Sequence, residues 1–317
     1  MIKGYTFGFD ASKGDYQTKE ALESLTKLRD TGTEWLCLAF IVYQKKYSST
    51  EIFFDYRETV TDLDLLFIIN KAHEMGFKVC LKPVINCHDQ MWRARIDFPD
   101  LDDSGPDQYW NKWFEFYRAF LTHYAQIATH TNCEMFCVGC EMLGTERKEE
   151  HWRETISEVK EIYKGLITYN TNHGAEEVAQ WYDAVDYLGV SAYYELVDKP
   201  GASEEEMLKG WLSKKDKLKA LSQKWNKPVM FAEVGCRSAL GVAAMPWDYL
   251  NDFPYDETEQ ANLYSSCFKA FYNEPWFAGF FWWHWDTFLY DKSKKDLGFT
   301  IYGKKAEGVL REWYEKK

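Results

Sequence analysis

Short apolar runs rich in β-branched and aromatic residues alternate with longer amphipathic stretches along the whole chain, and this alternation constrains the fold most. Parallel strands need long crossover connections, usually helices, so the pattern predicts a parallel sheet covered by helices. The predicted strands are Ile2–Asp10, Trp35–Tyr43, Lys78–Ile85, Glu134–Glu141, Leu166–Tyr169, Tyr187–Tyr194, Pro228–Val234 and Phe277–Trp285. The predicted helices are Thr18–Thr31, Val60–Met75, Tyr109–Thr129, His151–Tyr163, Glu176–Tyr182, Glu204–Lys224, Glu257–Asn273 and Lys305–Tyr314. Eight strand–helix units favour an α/β fold, the closed (β/α)8 TIM barrel.

The length of the chain agrees with one such barrel. A (β/α)8 domain usually takes about 250 residues, and the chain has 317. No linker, low-complexity tract or change of composition marks a boundary within the sequence. The sequence therefore predicts a single domain over residues 1–317.

Charge and hydropathy argue against two classes of partner. The chain has 38 Lys and Arg against 50 Asp and Glu, a net charge of −12. Such an acidic protein repels a phosphate backbone, so we expect no nucleic-acid partner. No apolar run reaches the roughly 18 residues of a membrane span, so we expect no membrane partner either. Aromatic residues make up 18% of the chain, which suits either a Trp-rich core or stacking on sugar rings.

The cysteines and the N-terminus predict a cytoplasmic protein. The 8 Cys are spread without the spacing of a disulfide framework, and no Asn-x-Ser/Thr acceptor occurs. Residues Met1–Asp10 lack the apolar segment of a signal peptide. Buried thiols in a reducing compartment account for this cysteine usage better than disulfides.

Two patterns resemble metal or redox sites, and we expect neither to act as one. Cys137-Val138-Gly139-Cys140 is a C-x-x-C motif, but residues three apart on a strand face opposite sides. No recognised ligand spacing links the polar residues at the ends of the third and eighth predicted strands, Asn86, His88, Asp89 and His284. The sequence thus predicts neither a metal nor a cofactor.

Two glutamates each close an apolar predicted strand. Glu141 ends the fourth strand and Glu233 lies near the end of the seventh. In a (β/α)8 barrel the carboxyl ends of the strands form the active-site face, so the two acids should face each other across the mouth. Paired carboxylates are what glycoside hydrolysis needs: one protonates the leaving oxygen, and the other attacks or activates water.

The motifs at the strand ends resemble those of glycoside hydrolase family 113, the β-mannanases, within a large clan of retaining (β/α)8 glycosidases. The resemblance covers nearly the whole chain. It is carried by Val138-Gly139-Cys140-Glu141, Ser191-Ala192-Tyr193-Tyr194, Phe231-Ala232-Glu233-Val234-Gly235 and Phe281-Trp282-Trp283-His284-Trp285. It implies an endo-β-1,4-mannanase acting on mannan and manno-oligosaccharides, with Glu141 as acid/base and Glu233 as nucleophile.

The resemblance also implies a sixth-strand tyrosine near the nucleophile and an eighth-strand tryptophan under the sugar. The tyrosine is Tyr193 or Tyr194, which strand alternation leaves open. Trp283 and Trp285 share a face by the same alternation, and Trp283 is the first choice as the sugar platform.

Two further positions complete the predicted sugar-binding residues. Trp92, beside Arg93 after the third strand, is a candidate for a further subsite. The clan commonly has Asn before the acid/base, where this chain has Cys140, so Asn86 or Asn170 is the alternative donor to the sugar 2-hydroxyl.

Two other functions remain open from the sequence. A retaining glycosidase acting on cellulose, xylan or galactan would use the same pair of glutamates. A non-catalytic carbohydrate-binding protein would keep the aromatic residues but would not need both acids. Endo or exo action, subsite number and oligomeric state are not determined by these motifs.

Overall fold

The computed structural model describes residues 1–55, 57–102 and 105–316. Eight parallel strands follow one another around a closed barrel, and the first strand pairs with both the second and the last. This confirms the predicted (β/α)8 barrel. The barrel strands are β1 (Ile2–Phe7), β2 (Trp35–Gln44), β3 (Lys78–Cys87), β4 (Met135–Cys140), β5 (Leu166–Asn172), β6 (Tyr187–Ser191), β7 (Val229–Val234) and β8 (Phe277–Trp285).

Helices follow all but one of these strands. They are α1 (Lys19–Arg29), α2 (Asp62–Glu74), α3 (Gln108–His130), α4 (Glu149–Ile162), α5 (Glu204–Trp225), α6 (Glu257–Phe271) and α7 (Lys305–Tyr314). Sequence-coded caps start several of them: Ser203, for example, forms a capping box with Glu206 at the start of α5. None of the helices in the described ranges has the length and apolar character needed to cross a bilayer.

The connection between β5 and β6 corrects one prediction. The predicted helix Glu176–Tyr182 is a series of turns that ends in a 3-10 turn at Tyr182–Ala184. The side chain of Glu176 is used instead to accept the backbone N–H of Gly174 at 2.7 Å. The Glu176 carboxylate also accepts from Tyr194 and, at 3.2 Å, from Lys217 Nζ, so tertiary contacts hold this segment in turns.

Two separate cores lie on the two sides of the barrel wall. The larger one, between strands and helices, is dominated by aromatic rings such as Trp152 stacked on Trp181 at 4.7 Å. The smaller one fills the barrel interior and contains four of the cysteines: Cys37, Cys80, Cys137 and Cys140. All eight cysteines are free and buried.

Irregular pairing near the carboxyl ends of three strands breaks the in-and-out alternation. Between β4 and β5, Cys137 pairs with Thr168 but Cys140 pairs with Asn170, so β4 carries an extra residue. Both thiols therefore face the barrel interior, and the prediction that the C-x-x-C cysteines face opposite sides is wrong. A bulge adds one residue to a strand and reverses the alternation beyond it.

Candidate active site

Glu233 occupies the barrel mouth at the end of β7, where a second bulge aims it. Phe231 pairs with Val190 of β6, but Glu233 pairs with the very next residue, Ser191. Met230 and Ala232 face the interior, and strict alternation would turn Glu233 outward. The extra residue brings it inward, where it is 3% exposed.

Four donors surround the Glu233 carboxylate. Oε1 accepts hydrogen bonds from the ammonium of Lys82, from Asn170 Nδ2 at 3.0 Å and from Cys140 Sγ at 3.3 Å. Oε2 accepts one, from Tyr193 Oη at 3.1 Å. One oxygen is therefore enclosed by three donors, whereas the other faces a single phenol.

Charge decides the protonation state of this buried group. Burial by itself would raise the pKa of Glu233, but the Lys82 ammonium, together with Arg93 and the hydrogen bond from Cys140, holds that pKa below its ordinary value. Burial also raises the pKa values of Tyr193 and Cys140 well above their ordinary values. At neutral pH the site thus holds an ionised carboxylate that accepts hydrogen bonds from a neutral phenol and a neutral thiol.

Glu141 lies at the barrel mouth and has an unusual backbone conformation. It follows β4 with φ of 54°, in the left-handed region that a residue with a side chain adopts at a cost. Its N–H donates to Asn170 O at 2.7 Å, which fixes the turn. Its Oε2 accepts from Trp92 Nε1 at 3.2 Å and lies 3.3 Å from Arg93 Nη2. Strained backbone of this kind is concentrated at functional sites.

The structure distinguishes the two tyrosines that follow β6. Tyr193 donates to Glu233. Tyr194 turns to the other side of the wall, where its hydroxyl donates to Glu176 and its ring packs edge-on against Trp211 at 6.1 Å. Tyr194 therefore supports the β5–β6 connection, which corrects its predicted place at the sugar.

The two predicted tryptophans of β8 lie on opposite faces. Trp283 lines the barrel mouth, 4.6 Å from the Phe9 ring. Trp285 is 1% exposed in the outer core, where its indole donates to Ser24 Oγ at 2.9 Å. The register between β8 and β1 shifts after Tyr5, because β8 has a third bulge there. Beyond this bulge the side chains of β8 no longer alternate as they would in a regular strand. Trp285 is thus not a sugar-binding candidate in this structure.

Trp92 and Asn86 lie on the Glu141 side of the mouth. Trp92 is 46% exposed, and its indole N–H reaches the Glu141 carboxylate. Asn86 Oδ1 accepts from Arg93 Nη1 at 2.7 Å, so Asn86 orients the guanidinium that contacts Glu141. Asn170, the alternative to Asn86, lies instead on the Glu233 side.

Sequence reasoning missed two residues of the site. Lys82 was detectable, since a lysine in the middle of the apolar strand Val79–Ile85 signals a buried charge that needs a partner. His173, after β5, had no sequence signal. Its Nδ1 lies 3.2 Å from Ser191 O, and its ring stacks on Trp247 at 5.8 Å. Burial lowers the pKa of His173, which favours the neutral imidazole.

Two groups of potential metal ligands occur in the described part of the chain. One is Asp10, His284 and Asp286 near the ends of β1 and β8; the other is Asp55, Glu58 and His88. In each group the ligand atoms lie within 4.8 Å of one another. Exposed acidic groups are common without an ion, and neither group touches Glu141 or Glu233, so we assign no metal chemistry to them.

Comparison with known proteins identifies the family of this chain. The model of Glycoside Hydrolase Family 113 matches residues 5–304. Two solved structures of a family 113 β-1,4-mannanase, one of them a complex, superpose with a TM-score of 0.92 at 38% identity, covering 100% of this chain and 99% of theirs. The family 113 β-mannanase of Alicyclobacillus acidocaldarius in complex with ManMIm gives 0.90 at 39% identity, covering 99% of this chain and 96% of that one.

More distant structures share only the fold. A β-D-glucuronidase from Dictyoglomus thermophilum superposes with a TM-score of 0.64 at 15% identity. The superposition covers 100% of this chain and 50% of the glucuronidase chain. No significant match was found among curated proteins.

Proposed function

Because the chain belongs to glycoside hydrolase family 113, we propose that it is a retaining endo-β-1,4-mannanase that hydrolyses mannan and manno-oligosaccharides. The family and the fold show a glycoside hydrolase built on a (β/α)8 barrel. The similar structures are β-mannanases, which supports a β-mannoside as the substrate.

The observation that carries the mechanism is the contrast between the two glutamates. Glu233 is enclosed, ionised and held by donors, as a nucleophile must be. Glu141 reaches the mouth beside the half-exposed Trp92, where a leaving oxygen would arrive. One carboxylate thus has a fixed charge and the other has access to the leaving group, which is the division of roles in double displacement.

In the first step Glu233 attacks the anomeric carbon, and the proton of Glu141 passes to the departing sugar oxygen. In the second step Glu141 removes a proton from water, the water oxygen bonds to the anomeric carbon, and the carboxylate of Glu233 leaves. Tyr193 keeps its proton and steadies Glu233 Oε2. Trp283 offers an aromatic surface beneath the sugar at the point of cleavage.

Azide separates the two roles. Removal of an acid/base typically costs roughly 10²–10⁴-fold, and removal of the nucleophile should cost more. With an activated aryl β-mannoside, azide should rescue Glu141→Ala and give the β-mannosyl azide, since the covalent intermediate still forms. Azide should rescue Glu233→Ala by direct attack and give the α-mannosyl azide. Near wild-type activity of either variant without azide would refute its assignment.

The stereochemistry of the first product tests retention. Proton NMR during hydrolysis of a manno-oligosaccharide should show the β-anomer first, because two inversions restore the configuration. The α-anomer appearing first would mean that Glu233 activates water. Retention further predicts transglycosylation at high oligosaccharide concentration, since a sugar hydroxyl then competes with water for the intermediate.

The choice of sugar is tested by a panel of polysaccharides. Reducing ends should be released from β-mannan and manno-oligosaccharides and not from cellulose, xylan or galactan. Release from another polymer only would replace the substrate while keeping the catalytic pair. Binding without release of reducing ends would favour a carbohydrate-binding protein.

We also propose that the enzyme works in the cytoplasm on oligosaccharides. Eight buried, unpaired thiols support a reducing compartment. Fractionation of intact cells of the native host should recover the activity with the cell contents, and recovery mainly from the medium would contradict this proposal.

A further inference from the structure

The interior of the barrel contains a lysine that has no assigned part in the two chemical steps above. Lys82 lies on β3 between apolar neighbours and is 1% exposed. Burying an ammonium costs several kcal/mol unless it is paired and hydrogen-bonded. The ammonium of Lys82 pairs with the carboxylate of Glu233 and lies 5.8 Å from the centroid of the Trp283 ring.

We propose that Lys82 is the positioning residue of the nucleophile: it keeps Glu233 ionised, engages Oε1 so that Oε2 attacks, and stabilises the carboxylate when it leaves. The proposal rests on the role of Glu233 in the proposed function. It assigns to Lys82 an effect exerted through Glu233 rather than through contact with the sugar.

The arrangement of donors selects the attacking oxygen. Oε1 is engaged by Lys82, Asn170 and Cys140. Oε2 is engaged only by Tyr193. Three donors, one of them charged, draw electron density toward Oε1 and enclose it, whereas the lone pairs of Oε2 remain more available. The covalent bond to the anomeric carbon therefore forms at Oε2.

The surroundings of Lys82 leave its charge directed at Glu233. Among the described residues, Glu233 is the only carboxylate within ion-pairing distance of Lys82. Burial by itself would lower the pKa of Lys82, but the carboxylate of Glu233 raises it well above its ordinary value. The other groups near the Lys82 ammonium are the Trp283 ring, whose centroid lies 5.8 Å away, and the thiols Cys37, Cys137 and Cys140. Uncharged thiols are weak acceptors, so they accommodate the side chain without competing for the ammonium.

The chemical steps define when this charge acts. On attack, the Oε2–carbon bond forms, the glycosidic bond breaks, and the proton of Glu141 passes to the leaving oxygen. Oε1 becomes the carbonyl oxygen of a glycosyl ester and still faces Lys82. When water attacks, the carbon–Oε2 bond breaks and its electron pair returns to the carboxylate. The fixed ammonium stabilises that returning charge without reorganisation.

The pH dependence gives the clearest signature. The titratable and charged groups that bear on Glu233 come from several elements: Lys82 on β3, Arg93 after β3, Cys140 on β4, and Tyr193 after β6. Glu141 is a further titratable group in the same mouth. Of the cations, Lys82 has the larger effect, and it lowers the pKa of Glu233. Its removal raises that pKa, so a more alkaline pH is needed to ionise the nucleophile.

The experiment is the pH profile of kcat/KM for Lys82→Met, whose acidic limb reports the ionisation of the free nucleophile. We expect that limb to move to higher pH by at least one unit, and kcat/KM at pH 6 to fall at least tenfold. Cys80→Ala is the matched control, because Cys80 lies on the same strand and in the same interior core. Its acidic limb should stay at the wild-type position. A folded Lys82→Met enzyme with an unmoved limb would overturn the proposal, since a purely structural lysine would change only stability.

Two further measurements keep the outcome decisive. If Lys82→Met does not fold, Lys82→Gln must show the same displacement, and carboxyl-¹³C NMR of the wild type must show Glu233 titrating below the ordinary range of glutamate. A Glu233 that titrates above that range would refute the proposal. Trapping with 2-deoxy-2-fluoro-β-mannosyl fluoride and mass spectrometry tests Glu233 separately. Label on another residue would reject the proposed function, whereas label on Glu233 with an unmoved limb would reject only the role of Lys82.

Discussion

The two catalytic candidates are both glutamates, and their neighbours give them different properties. Glu233 is enclosed by Lys82 and neutral donors deep in the mouth. Glu141 is also buried, but it contacts Arg93 and the half-exposed Trp92, and a substrate that enters the mouth can displace the contact with Trp92. The two identical side chains thus have different environments, which is what their proposed roles as general acid and nucleophile require.

Trp283 and Trp285 provide a matched test at the residue scale. Trp283 lines the mouth, so Trp283→Ala should reduce oligosaccharide turnover far more than it lowers the melting temperature. Trp285 lies in the outer core, so Trp285→Ala should cost about 3–5 kcal/mol of stability while kinetics per folded molecule stay near wild type. Steady-state kinetics and thermal unfolding of both variants check this. The reverse assignment of the two effects would place the sugar platform elsewhere.

Glu146, just beyond the proposed acid/base Glu141, makes the free energy of unfolding depend on pH. Its carboxyl is fully buried and accepts from Tyr169 Oη at 2.7 Å, and burial raises its pKa to about 7. The folded pKa exceeds the ordinary value of 4.5. The contribution of Glu146 to the free energy of unfolding is therefore fully present below pH 4.5 and is lost as the pH rises through about 7.

Glu146→Gln should remove this dependence, because an amide stays neutral at every pH. Wild type should lose up to about 3 kcal/mol between pH 5 and pH 9 from this group, whereas the variant should lose none of that part. Denaturant unfolding across the pH range measures it. Glu161→Gln, at an exposed position of α4, is the control and should keep the wild-type slope. An unchanged slope in Glu146→Gln would contradict the prediction.

At the scale of single elements, bulges build the active site. The ends of β4, β7 and β8 each carry irregular pairing. These irregularities turn Cys140 and Glu233 into the mouth and send Trp285 out of it. Bulges re-aim side chains next to active sites because one added residue reverses every later position of a strand.

Gly139 lies inside the β4 bulge and tests its importance. A Cβ there would come within 2.7 Å of the Tyr169 ring and 2.8 Å of the Trp152 ring. Gly139→Ala should displace the strand end that carries Glu141. A misplacement of about 1 Å costs on the order of 10²-fold in rate, so kcat per folded molecule should fall by about that factor.

The neighbouring Val138→Ala is the control for this loss. It removes buried methyl groups from the outer core without adding an atom to the bulge. It should lower the melting temperature by the usual cost of a core truncation and leave kcat per folded molecule near wild type. Equal kcat in Gly139→Ala and wild type would show that the bulge tolerates displacement.

At the scale of the whole molecule, the barrel closes where β1 meets β8, and glycines permit that approach. Gly279 has φ of 140°, and a Cβ on it would lie 2.2 Å from Ile2 O. Gly279→Ala should therefore lower the free energy of unfolding by about 2 kcal/mol or more, through backbone strain and overlap. Thermal or denaturant unfolding measures this loss.

Gly308 in α7 is the matched control, since nothing lies within 4 Å of a Cβ built there. Gly308→Ala should stabilise the protein by about 0.5–1 kcal/mol through helix propensity. If both alanines had the same effect, close packing at the seam would not limit closure.

The sequence by itself determined the architecture and the two acids. Hydrophobic periodicity depends on local chain geometry, so eight strand–helix units and the closed barrel were predictable. Glu141 and Glu233 were found for the same reason, as lone carboxylates closing apolar strands on the face where a barrel carries its site. Lys82 was equally visible as a charge within an apolar strand, although only the fold shows its partner.

Only the tertiary structure decided which neighbouring side chains face the mouth. The side of the barrel wall that a side chain faces depends on whether its strand is regular to its end. This holds for Tyr193 and Tyr194, for Trp283 and Trp285, and for Cys137 and Cys140. Alternation is a property of ideal strands, whereas a bulge arises from the pairing of two strands that are distant in sequence. The turns that replace helix Glu176–Tyr182 also depend on contacts distant in sequence, because Tyr194 and Lys217 hold the Glu176 carboxylate against its local helical propensity.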